Sequence, residues 1–150
     1  MNPVKFWLVW MKIIVIAVLL LGVMTIFFAD SPLMIIFNGP VQRVFIDKIG
    51  VSEELDQLIR LMEAAMGSVL IAWAIMMYFI IHYPLKKGEI WAWNSLFWSV
   101  TVWYVLHTGI SLYYNMNTMV IFNTIVFLQA IAPLMIIRNS IFQVKKIRIQ

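Results

Sequence analysis

The chain reads as all-α, an integral membrane four-helix bundle forming one transmembrane domain over residues 1–150. A short amphipathic outer (periplasmic) helix is expected between the first two spans. Three observations predict this. The 150 residues are 63% hydrophobic and only 12% charged, against about 45–50% and about 25% in soluble domains. With a mean hydropathy of +0.92, too little polar surface remains to cover a globule in water. The uncharged residues are gathered into runs long enough for a hydrocarbon core about 30 Å thick, which takes roughly 20 helical residues. Finally, the basic residues cluster at the ends of those runs.

The first span is expected over about 6–29. Ile13 to Ala29 carries no charge, and Phe6 to Trp10 lengthens the run past Lys12. A cleaved leader fits poorly, because Phe27 and Phe28 stand where small residues would precede a cut. After Asp30 the segment 31–50 opens with Ser31 and Pro32 and turns at Asn38-Gly39-Pro40. Val41, Val44, Phe45 and Ile49 then recur at helical spacing among Gln42, Arg43, Asp47 and Lys48, as a helix lying on the outer surface would show. Gly50 ends it. Ser52 has the position of an N-cap, with Glu53 and Glu54 at the positive end of the helix dipole.

From Ser52 the helical pattern runs to Tyr83, about 45 Å of helix. The second span is placed at about 61–83, with three turns protruding above it. Asp56 and Arg60 are four apart on that protruding part and can pair. The uncharged stretch from Ile90 to Ile137 would reach about 72 Å as one helix. It must therefore fold back. Its one turn-like cluster, Asn115-Met116-Asn117-Thr118, divides it into a third span over about 91–114 and a fourth over about 118–137.

Lys5, Lys12, Lys86, Lys87, Arg138, Lys145, Lys146 and Arg148 are eight of the eleven basic residues, and alternation of the spans puts all eight on one side. The positive-inside rule makes that side cytoplasmic and places both termini there. Trp7, Trp10, Trp91 and Trp93 fall at the inner boundary, and Tyr113 and Tyr114 at the outer one, where amphipathic rings prefer to lie. Trp73 and Trp103 fall mid-span as packing residues. The net charge of +4 forms no interleaved basic stripe, so no nucleic-acid partner is expected. With no cysteine, disulfides and thiol chemistry are excluded.

Few polar groups fall within the spans. Asp30, Arg60, Glu63, His107, Ser111 and Asn123 form a candidate cluster in the outer half, His107 and Asn123 lying about 9–12 Å below the outer turn by helical rise. Hydrocarbon penalises such groups, so they should face one another or a wet cavity. Imidazole can carry a proton or tie helices together by hydrogen bonds to Ser111, Asn123 or a carbonyl. No second histidine stands at ligand spacing, so no metal is expected. Ala64, Gly67, Ser68 and Ala72 form a small-residue series on the second helix, read as a helix-packing seam. Phosphate-loop, zinc-protease, nucleophile-elbow and dinucleotide signatures are all missing. No cofactor is expected and no catalytic residue is assigned.

Arg60, Gly67 and Trp73, the loop Tyr83-Pro84-Leu85-Lys86-Lys87-Gly88-Glu89-Ile90-Trp91-Ala92-Trp93, then Trp103, Thr108, Ser111, Asn123 and Pro133, together resemble the small four-helix DoxX-like bacterial membrane proteins. The resemblance covers about residues 58–137, and the loop ending in Trp-Ala-Trp is its most specific part. It implies a four-helix bundle in a bacterial inner membrane and no established reaction. It also implies an acidic residue where His107 stands, so the histidine departs from the pattern.

Three functional readings follow. In the first, the bundle binds a lipid or other hydrophobic ligand, or docks as an accessory to a larger membrane complex or a second copy of itself, without catalysis of its own. Methionine-rich apolar surfaces suit varied partners. In the second, it is a small transporter or channel subunit with Glu63, His107 and Asn123 lining a path. In the third, it is a membrane enzyme on a lipid-soluble substrate, with His107 and Glu63 as an acid–base pair.

Overall fold

A computed structural model describes residues 3–29, 31, 32, 34, 39 and 52–147, the last seven as backbone only. Among these residues all regular structure is helical. The elements are α1 (Pro3–Phe27), α2 (Glu53–Ile80, continued by a π-helical turn at Ile81–Leu85), α3 (Ile90–Tyr113) and α4 (Asn117–Ile147). Asp30 and the amphipathic stretch at 41–50 lie outside the described residues. Of the segment before it, Met34 and Gly39 are buried.

Local chemistry sets the helix ends. Ser52 caps α2, its hydroxyl accepting from the Leu55 amide at 3.3 Å, and Glu53, Glu54 and Asp56 occupy the first turn. Pro84 has no N–H for a regular α-turn, and the last five residues of α2 widen into the π-turn that contains it. The helix then closes on Gly88 at φ 77°, with Glu89 N–H donating to Pro84 O and Gly88 N–H to Leu85 O. The turn between α3 and α4 repeats this device with asparagine. Asn115 takes φ 57°, while Met116 N–H reaches Ser111 O and Asn115 N–H reaches Leu112 O. Asparagine tolerates the left-handed conformation better than most residues.

α1 runs antiparallel to α2, with Gly22 against Gly67 at one end and Lys12 against His82 at the other. α3 and α4 form an antiparallel hairpin through His107–Asn123, Tyr104–Phe127 and Trp93–Leu134. The pairs join through α1 with α4, and more sparingly through α2 with α3. The start of α1 and the end of α4 therefore sit at the end of the bundle that carries the Lys86-Lys87 turn.

The apolar core lies in that same half. Leu8, Met11 and Val15 of α1 meet Ala74, Met77 and Ile81 of α2, Leu96 and Val100 of α3, and Leu134 and Ile137 of α4, all buried. An apolar void of about 20 Å³ among Met11, Met77, Leu96, Val100 and Leu134 has room for one water but no polar group to hold it. Trp93, expected in a boundary belt, belongs to this core. Its Nε1–H donates to Leu134 O at 2.6 Å, Phe97 stacks on its ring and the Arg138 guanidinium stands 4.8 Å from the ring centre.

The half away from the Lys86-Lys87 turn closes differently. α1 and α2 meet backbone to backbone: a Cβ on Gly67 would stand 2.7 Å from Gly22 O and 2.6 Å from Ile26 Cγ1. The expected seam needs correction here. Gly67 is buried and Ala64 partly so, but Ser68 and Ala72 are exposed. A four-residue stride drifts about 40° around an α-helix at each step, so the series leaves the interface after one turn. The contact line runs instead through Gly67, Ala74, Met77 and Ile81.

Three helices are long and apolar enough to cross a membrane: Val4–Phe27, Glu53–Leu85 and Asn117–Ser140. α3 has comparable length and no acidic or basic residue except His107, but its tryptophans, tyrosines and hydroxyl residues lower its hydropathy. α4 exceeds the expected end at 137 by continuing to Ile147. Nothing between Arg138 and Ile147 breaks a helix, and the basic residues suit its C-terminal end.

The glycine contact makes an opposed pair of expectations. Gly67→Leu should force α1 from α2 and destabilise the protein by about 1–3 kcal/mol, the usual effect of overpacking. Gly109→Ala, where a new Cβ meets nothing within 4 Å, should be neutral or stabilise by up to about 1 kcal/mol. Thermal unfolding in mild detergent measures both.

Candidate functional site

The polar interior of the half away from the Lys86-Lys87 turn is built on the α3–α4 hairpin. Thr101, Tyr104, Thr108 and Ser111 recur on α3 at helical spacing, and Asn123, Thr124 and Phe127 answer them on α4. Thr108, Ser111 and Asn123 are buried, Asn123 at 1% exposure. The central contact runs from Asn123 Nδ2 to His107 Nδ1, 2.8 Å apart. With the amide N–H donating, Nδ1 is the bare nitrogen of a neutral imidazole and the ring proton sits on Nε2. The ring stacks on Trp103, centroids 5.7 Å apart, and Trp103 in turn faces Trp73 of α2 at 6.4 Å. Trp73 ties α2 to α3 by donating its indole N–H to Ser99 Oγ at 3.0 Å.

Most hydroxyls here are satisfied locally. Ser111 donates to His107 O at 2.8 Å, which leaves the imidazole to Asn123. Thr124 donates to Val120 O, so the 3.3 Å contact with Tyr104 has the tyrosine O–H as donor. Asn123 Oδ1, Thr101 Oγ1 and Thr108 Oγ1 remain buried without a hydrogen-bond partner. An unsatisfied buried group costs about 1–3 kcal/mol, and such atoms mark where a water or ligand group completes the network.

The other expected members of the cluster lie elsewhere. Arg60 is exposed on α2, its Nε donating to Asp56 Oδ2 at 2.8 Å. Glu63 is half-buried one turn before Gly67 and has interactions of its own. Asp30 is not among the described residues. Gln129 and Asn94, which could have continued a polar path inward, are exposed on the outside of their helices. The structure brings together His107, Ser111 and Asn123, while Arg60 pairs with Asp56. The sequence reading passed over Tyr104 and Thr101, although their spacing from Thr108 and Ser111 places all four on one stripe.

Lys12, His82 and Tyr78 meet at the opposite end of the bundle. Lys12 Nζ lies 3.2 Å from His82 Nδ1 and 5.9 Å from the Tyr78 ring centre, and the His82 ring stacks on Tyr78 at 5.5 Å. Searches against protein-family models, curated proteins and solved structures find no match to this chain.

The His107–Asn123 bond makes a quantitative expectation. Asn123→Leu should destabilise the protein by about 0.5–1.5 kcal/mol, the net contribution of a typical hydrogen bond, because the imidazole nitrogen that loses its partner is only half-buried. In a double-mutant cycle with His107→Phe the coupling should be about 0.6–1.7 kcal/mol, the range for hydrogen bonds between helices in membranes. Additive effects in unfolding midpoints would show that the pair carries no interaction.

Proposed function

We propose that this protein is a four-span membrane bundle, α3 being the fourth span, that binds an amphipathic, lipid-like molecule in its outer half and has no catalysis of its own. Its chain ends and the Lys86-Lys87 turn are assigned to the cytoplasmic side, in a bacterial inner membrane, in line with the resemblance of 58–137 to the DoxX-like membrane proteins. The outward surface supports immersion in lipid. Val69, Leu106, Ile121 and Trp98 are each more than 60% exposed, a distribution that suits hydrocarbon rather than water. α3 supports it as well, since Trp93, Ser95, Ser99, His107 and Ser111 each make a side-chain hydrogen bond within the chain, as a span without water favours, Thr101 and Thr108 being the buried exceptions.

The observation that carries the binding reading is the pair of buried polar atoms, the Asn123 Oδ1 acceptor and the Thr108 hydroxyl, left without hydrogen-bond partners in the same half as the half-exposed His107 ring. A hydroxyl or amine on an otherwise apolar molecule would satisfy them while its hydrocarbon lay along the exposed helix faces. The inner half argues against a conducting path, because its centre is filled by Met11, Met77, Leu96, Val100 and Leu134. An acid–base pair of Glu63 and His107 would need both within hydrogen-bond reach of one reacting group, whereas the bonded partner of the His107 ring is Asn123.

Native mass spectrometry of protein extracted in mild detergent should find one lipid-like mass bound per chain in wild type, and that mass should be largely lost in Asn123→Leu and Thr108→Val. Recovery of the bare chain alone, with neither ligand nor partner subunit, would remove this reading. Reporter fusions at Asp47, Lys87 and Gln150 test the topology, and only Asp47 should report from outside.

A further inference from the structure

We propose that the groove between α1 and α2 at the chain-end half of the bundle binds the phosphate of an anionic phospholipid, with Lys12 as its ligand and His82 and Tyr78 as the groups that aim the lysine. The proposal rests on the membrane placement above and concerns a different part of the molecule from the outer polar pair.

Lys12 lies within α1, beside the buried residues Met11 and Val15, and is itself half-buried. Its described partners are neutral. Its ammonium donates one N–H to His82 Nδ1 at 3.2 Å and stands 5.9 Å from the centre of the Tyr78 ring. Because His82 accepts through Nδ1, its ring is the neutral form with the proton on Nε2. The 5.5 Å stack on Tyr78 holds that ring in place. An ammonium has three N–H donors, so two remain. Among the described residues no carboxylate forms an ion pair with Lys12, and Glu89, the acid at this end, accepts from the Trp91 indole.

The depth suits a phosphate. His82 stands six residues before Gly88, about 9 Å along the helix axis from the turn. The headgroup layer is several Å thick on each side of the hydrocarbon, and a lysine side chain can extend toward it while its stem stays in apolar surroundings. Lys5, two turns earlier on the same face of α1, and Lys86, four residues beyond His82, are both exposed and continue the positive charge toward the water. That surplus favours a lipid with net negative charge over a zwitterionic one. Exposed Val9, Ile13 and Ile16 on α1 and Phe79 on α2 flank the groove with apolar surface, which an acyl chain can cover and a free phosphate ion cannot.

Delipidated full-length protein titrated with phosphatidylglycerol, phosphatidylcholine or inorganic phosphate, with thermal unfolding and native mass spectrometry as readouts, tests this. Phosphatidylglycerol should raise the unfolding midpoint and remain bound, while the other two have little effect. Lys12→Gln should weaken phosphatidylglycerol binding about five- to tenfold, the loss expected for one lysine at an anionic surface. Lys12→Arg should keep it within about twofold, since the charge and donors persist, and Lys87→Gln, which removes the same charge from the turn, should change it far less than Lys12→Gln. Should Lys12→Gln not fold, His82→Phe takes its place and is expected to weaken binding by releasing the lysine. Unchanged affinity in Lys12→Gln, or in His82→Phe where it takes its place, an equal loss in Lys87→Gln, or equal protection by phosphatidylcholine would overturn the site. Equal protection by inorganic phosphate would overturn its assignment to a lipid. A reporter that places Lys87 outside would instead overturn the membrane orientation, which separates the two failures.

Discussion

The approach of α1 to α2 at Gly22 and Gly67 governs much of what the bundle can do. Each glycine leaves room for the other's carbonyl oxygen, and a Cβ on either would stand 2.7–2.8 Å from it. Packing that close sets the register of the two helices. Once it is set, Met11 and Val15 arrive opposite Ala74 and Met77, and Lys12 arrives opposite His82. In hydrocarbon, where apolar side chains gain nothing from leaving water, such contact between backbones is a principal source of helix association.

The two halves of the molecule are held by different forces. Near the Lys86-Lys87 turn, interlocking Leu, Ile, Met and Val side chains leave a small apolar void between them. Away from that turn, glycine contact joins α1 to α2, while hydrogen bonds and ring stacking join α3 to α4. Hydrogen bonds are directional and leave some atoms unmatched, which is why the buried polar atoms Asn123 Oδ1 and Thr108 Oγ1 occur in this half. Tight apolar packing gives stability without recognition, whereas an incomplete polar network gives a ligand something to complete.

Features that depend on neighbours in the chain were the legible ones. The Ser52 cap, the Asp56–Arg60 pair and the turn at Asn115 each follow from residues within five positions of one another. The uncharged runs likewise announced the helices. Facing was harder to read. Apolar residues surround each helix on every side, so periodicity does not separate the inward stripe from the outward one. Ser68 and Ala72 were therefore set beside Gly67 although they turn away from it, and Trp93 was set at a boundary although it is core. Pairings across long separations, Lys12 with His82 and Gly22 with Gly67, leave no local signal. His107 and Asn123 stood out as polar residues in apolar runs, but that they bond to each other is a fact of helix register.

The π-turn that closes α2 has a consequence for how the bundle is floored. An ordinary α-helix would rotate a side chain about 40° for every four residues, so Met77, Ile81 and Leu85 could not all keep one bearing. The broader turn from Ile81 to Leu85 winds the chain back by a comparable amount, and all three point into the core. Pro84 lies within that broadening, where its missing N–H costs no regular α-helical bond, and Leu85 stays in the core at the Lys86-Lys87 end of the bundle.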